Sequence, residues 1–145
     1  MVLFETTGPE NTKETLKLAV QHAIDNDYDI VAATSTGNTI FQLKEIADSM
    51  GFQNNIVAVR YVYGMKEKGT NVMSDETYSQ LLENGVKIVT AAHALSGAER
   101  GLSGKFSGVY PVEIVAAALR MFGQGTKVCV EIALMALDSG NITYG

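Results

Sequence analysis

The sequence predicts an α/β fold: a parallel sheet with right-handed crossovers and helices on both faces. Three observations predict it. Short apolar runs at 28–33, 56–62 and 86–90 carry apolar residues on both strand faces, as strands of a covered parallel sheet do. Stretches with helical periodicity separate and follow these runs. The alternation of the two continues through most of the chain, the pattern of βαβ units.

Taken in order, residues 1–4 are a short apolar start, read as an edge strand, and Gly8-Pro9 breaks the chain. Asn11 to Asn26 reads as a helix, with Leu16, Ala19, Val20, Ala23 and Ile24 at helical spacing and Asn11 with Glu14 as a capping box. Tyr28 to Ala33 is the first strand, and Asn38 to Met50 is a helix closed by Gly51. Ile56 to Val62 is the second strand, followed by a polar loop from Gly64 to Asn71. Ser74 caps a helix that runs to Asn84, and Val86 to Thr90 is the third strand. His93 to Tyr110 is rich in glycine and serine, has no period, and reads as a long loop. Pro111 opens a helix running to Phe122, because the first helical position tolerates proline. Thr126 to Ser139 is the last helix. Residues 1–145 read as one α/β domain, long enough to bury a single core.

The segment Val31-Ala-Ala-Thr-Ser-Thr-Gly-Asn-Thr39 carries the main chemical signal. An apolar strand passes into a helix through several hydroxyls and one glycine. A helix start offers free N–H groups and the positive end of its dipole to an anion. Thr34, Ser35, Thr36 and Thr39 add hydroxyl donors, Asn38 an amide, and Gly37 close backbone approach. The simpler reading is a turn in which one hydroxyl caps the helix; several hydroxyls are more than one cap needs. Ligands of such folds sit beyond the carboxyl ends of the strands, so this loop, residues 63–71 and residues 91–110 are expected on one rim.

The 93–110 stretch brings His93, Ser96, Arg100 and Lys105 toward that rim. Two cations among glycines suit an anionic ligand; the alternative is a surface loop with solvated charges. Neither a nucleotide-triphosphate loop nor a G-x-G-x-x-G motif is present. His93 is a candidate general acid or base, or a hydrogen-bonded structural histidine. Glu131, within an apolar run, either bonds backbone amides of the long stretch or faces the ligand as a base. Cys129 reads as core filler, His22 as a surface residue and Asp138 as a local turn contact. No metal-ligand cluster is recognisable.

A net charge of −5 argues against broad nucleic-acid or membrane-surface binding. One cysteine excludes an internal disulfide and a cysteine zinc cage. No signal-peptide pattern and no apolar run of about 18 residues is seen, so the expected location is cytoplasmic.

Gly8-Pro-Glu-Asn-Thr-Lys-Glu-Thr-Leu16, His93-Ala-Leu-Ser-Gly97, Gly108-Val-Tyr-Pro-Val-Glu-Ile114 and the run from Lys127 to Gly140 resemble a group of small archaeal and bacterial proteins similar to the C-terminal domain of pyruvate kinase. The resemblance implies a three-layer α/β/α fold with a mostly parallel sheet. It also implies a hydroxyl-rich loop that binds an effector phosphate, here Ser35, Thr36, Gly37 and Thr39. Kinase activity is not implied, because the catalytic barrel is absent. Thr34 to Thr39 also resembles the flavodoxin loop around the phosphate of FMN, and Tyr61 and Tyr63 are candidates to stack on the flavin or are plain strand residues. Members of the group continue past the equivalent of Gly140 with further strand segments. A shortened chain, or a sheet edge completed by another subunit, is therefore expected, and with it a homo-oligomer.

These readings converge on a protein that binds a phosphorylated small molecule, FMN first among them. The alternatives are an enzyme acting on a sugar phosphate through His93 or Glu131, and a non-catalytic metabolite sensor.

Overall fold

The computed structural model describes residues 2–144. A 3-10 turn, Pro9–Asn11, leads into α1 (Thr12–Asn26), followed by β1 (Ile30–Ala33), α2 (Asn38–Ser49), β2 (Ile56–Arg60), α3 (Asp75–Glu83), β3 (Lys87–Thr90), α4 (Gly97–Phe106), α5 (Pro111–Arg120) and α6 (Gln124–Asp138). The strands form one parallel sheet in the order β1-β2-β3, with Ala33 opposite Val59 and Arg60 opposite Thr90. The fold is α/β with three layers.

Alternation along β2 divides the core. Ile56 and Ala58 face a cluster with Leu16 and Val20 of α1, Ile40 and Leu43 of α2 and Leu81 of α3. Val57 and Val59 face the other way, against Ile132, Met135 and Ala136 of α6. Every residue of β2 is buried, the consequence of a central strand covered on both faces.

Several element boundaries differ from those read in the sequence. Residues 93–110 are not one loop: they contain α4. Gly97, Gly101 and Gly104 lower its helix propensity and hid it. α4 buries no side chain, so it carries no apolar stripe to betray it. It is tethered by polar contacts instead, Val112 N–H to Glu99 at 2.7 Å and Ser103 Oγ to Glu113 at 2.6 Å. The capping box at Asn11 does not form. Asn11 is itself helical in conformation, makes no side-chain cap, and donates from Nδ2 to Thr6 O at 2.6 Å. Ser74 does cap α3, accepting from Thr77 N–H at 3.1 Å. β2 ends at Arg60, two residues before Val62. Val2 to Phe4 are exposed and outside any strand, and Met1 lies outside the described residues. Cys129 is exposed rather than part of the core, because the inward side of α6 is taken by Lys127, Glu131, Ile132, Met135 and Ala136.

Candidate functional site

At the C-terminal edge of the sheet the strand ends, α4 and α6 enclose a cavity of about 500 Å³. β1 and the turn after it contribute Ala33, Thr34 and Ser35; β2 and its exit contribute Val59, Arg60 and Tyr61. His93, Ser96 and Arg100 approach from the α4 side, and Arg120, Gln124, Lys127 and Glu131 from the α5–α6 side. Val128, Ile132 and Met135 complete an apolar wall. Three helix beginnings meet here: the turn into α2, Ser96 as N-cap of α4, and Gln124 as first residue of α6. Each brings the positive end of a helix dipole.

The charge balance of the lining is opposite to that of the chain. Arg60, Arg100, Arg120 and Lys127 stand against one carboxylate, Glu131, whereas the whole chain carries −5. Glu131 is already occupied. It accepts from Lys127 Nζ at 2.5 Å, from Leu95 N–H at 2.9 Å and from Ser96 Oγ at 3.4 Å. Burial raises the pKa of this carboxyl, but the bonds from Lys127 and Leu95 and the charges of Lys127 and His93 outweigh it, leaving a net lowering. Glu131 thus fixes the start of α4 onto α6. Among the described residues, Arg60, Arg100 and Arg120 pair with no carboxylate.

Arg60 is only 5% exposed. Its Nε donates to Thr90 Oγ1 at 2.7 Å, and its Cζ lies 4.3 Å from the ring centre of Tyr78 and 5.4 Å from that of Tyr63. Nη1 is buried without an acceptor among the described residues. A guanidinium held against two rings with an unfilled donor is a preorganised cation.

The turn into α2 has a structural job of its own. Thr34 Oγ1 accepts from Gly37 N–H at 2.9 Å. Gly37 has φ 98°, and a Cβ there would lie 2.5 Å from Thr77 Cγ2. Its close approach is therefore to α3. Of the sequence-derived site residues, Thr34, Ser35, His93, Ser96, Arg100 and Glu131 line the cavity. Thr36 and Asn38 are exposed outside that lining, Thr39 is half-buried and Gly37 is buried against Thr77. The amides of Asn38 and Thr39 lie in the first turn of α2, where no acceptor exists within the helix. Lys105 sits at the far end of α4, over the Phe106 ring at 5.2 Å. Of the two tyrosines, Tyr61 lines the cavity 6.0 Å from the His93 ring, while Tyr63 packs on Arg60.

Sequence reading missed Arg60, Arg120, Gln124 and Lys127. Arg60 had a signal: it is the one charge closing an otherwise apolar strand, at the strand end where ligands bind. Lys127 stands four residues before Glu131, the spacing of a helix ion pair. Arg120 and Gln124 had none. No group of three or more metal-binding side chains occurs among the described residues, and no described helix is long and apolar enough to cross a membrane. No protein-family model matches the chain.

Proposed function

We propose that this cavity binds a phosphorylated small molecule, with FMN the leading candidate. One observation carries the reading: Arg100, Arg120 and three helix N-termini line a single cavity whose lining carboxylate, Glu131, is paired with Lys127, while Arg60 borders it from the sheet edge. That concentration of positive potential in an acidic chain suits a phosphate. The remainder of the lining suits a flat, partly apolar ring, since Tyr61 and the wall of Val128, Ile132 and Met135 adjoin it. The resemblance to the pyruvate kinase C-terminal-domain group and to the flavodoxin loop stands as part of this proposal, with the turn at 34–39 contributing through its backbone amides rather than through the Thr36 and Thr39 hydroxyls.

The same cavity admits a second reading as an enzyme on a sugar phosphate, favoured by His93 lining it beside Tyr61. Glu131 does not fit the role of base, because its oxygens are engaged and its carboxyl is held ionised. A sensor would use the binding residues alone.

The visible spectrum of the purified protein, before and after incubation with FMN or riboflavin and gel filtration, tests the proposal. The expected result is a flavin band that co-elutes with protein for FMN and at least tenfold less for riboflavin. Failure of FMN to bind, together with no thermal shift from inorganic phosphate, would overturn it.

A further inference from the structure

Helix α6 is apolar on its outer side as well as its inner one. Its basic and acidic residues Lys127 and Glu131 point inward and are each 4% exposed, while Val130 and Leu134 point outward at 37% and 41%. Its outward stripe carries no charge until Asp138 at its end. Just before it, Met121 and Phe122 project at 83% and 80% exposure. Along its C-terminal half runs an apolar groove of about 500 Å³, walled by Val130, Leu134 and Leu137 on α6 and by Ile142 and Tyr144 beyond it. A water-facing helix places its charges outward; the free side of this one carries none before Asp138.

We propose that this face is the interface of a homodimer in which α6 packs antiparallel on α6 of a second copy. The arrangement of knob and groove selects the occupant. Phe122 lies at the N-terminal end of α6 and the groove at its C-terminal half. A two-fold axis across the middle of α6 reverses the helix, so the Phe122 of each copy meets the groove of the other. Such a surface is complementary to itself, the condition for an isologous pair. Gly125, Cys129 and Ala133 follow one another at four-residue spacing and let the two helices approach closely.

Charge argues against a charged partner and against a membrane surface. The face offers nothing for an oppositely charged partner to pair with, and a chain of −5 lacks the basic rim that a membrane-surface helix uses. Two like-charged copies associate best through a face without charges. Met121, Phe122, Val130 and Leu134 supply the exposed apolar side chains for such an interface. The inference does not depend on which ligand occupies the cavity.

Sedimentation equilibrium on the full chain, with Leu134→Glu and Phe122→Glu, tests it. The wild type should be dimeric at micromolar concentration. Each variant should shift to monomer with an unchanged far-UV circular dichroism spectrum. Phe122→Glu, outside the helix and highly exposed, keeps the test valid if Leu134→Glu fails to fold. A monomeric wild type, or a dimer that Phe122→Glu leaves intact, would overturn the proposal.

Discussion

Lys127 and Glu131, one turn apart on α6, form a buried ion pair at 2.5 Å, each side chain 5% exposed. Glu131 also accepts the Leu95 amide, so the pair joins α6 to the start of α4. Removing the carboxylate strands both a buried ammonium and a buried amide. Glu131→Ala should therefore cost about 3–5 kcal/mol. Lys127→Met combined with Glu131→Gln should cost clearly less, because no unpaired charge remains. Urea unfolding of both variants checks the ordering; equal losses would mean that the charge is not what matters.

Acid should loosen this junction. The carboxyl of Glu131 in the folded protein lies below its ordinary value of 4.5, the net of an opposing burial effect and the stronger pull of Lys127, Leu95 and His93. A depressed folded value contributes stability that is complete above the unfolded value and is lost as pH falls through the folded one. Stability measured against pH should thus lose this contribution only below about 4.5. Glu131→Gln should have a shallower acid limb than the wild type, and an unchanged slope would contradict the assignment.

The turn into α2 depends on glycine for two separable reasons. Gly37 has φ 98°, and an added Cβ would lie 2.5 Å from Thr77 Cγ2. Gly37→Ala should destabilise by roughly 2–3 kcal/mol, backbone strain and overlap together. Adding Thr77→Ser removes the overlapping methyl but not the strain, so it should restore part of the loss. Melting temperatures of the single and double variants separate the two contributions, and full restoration would mean that backbone strain is negligible.

The layers of the fold were legible in the sequence because β2 and its neighbours are covered on both faces and the helices show clear periodicity. α4 was not legible, since it buries no side chain and has a glycine at Gly97, Gly101 and Gly104. The strand-to-helix turn at 34–39 was located correctly, but sequence could not tell which hydroxyls serve the turn: Thr34 closes onto Gly37, and Thr36 and Asn38 lie outside the cavity lining. The cations beside it were half legible. Arg100 stood out among glycines and Arg60 as the charge that closes an apolar strand, whereas Arg120 reaches the cavity only through tertiary placement that no spacing encodes. That Val130 and Leu134 of α6 face outward was not legible, because periodicity finds a stripe but does not say which side faces water.

The most direct test of the account is calorimetric titration of FMN into the wild type and into Arg100→Met/Arg120→Met, alongside Thr36→Ala/Thr39→Ala. Hydrogen bonds to a charged group contribute about 1.5–3 kcal/mol each. The arginine pair should therefore weaken FMN binding by at least tenfold and leave the weaker binding of riboflavin nearly unchanged, while the threonine pair should have a small effect. FMN affinity that is equal in the wild type and the arginine variant, or equal for FMN and riboflavin in the wild type, would contradict a cavity built to hold a phosphate.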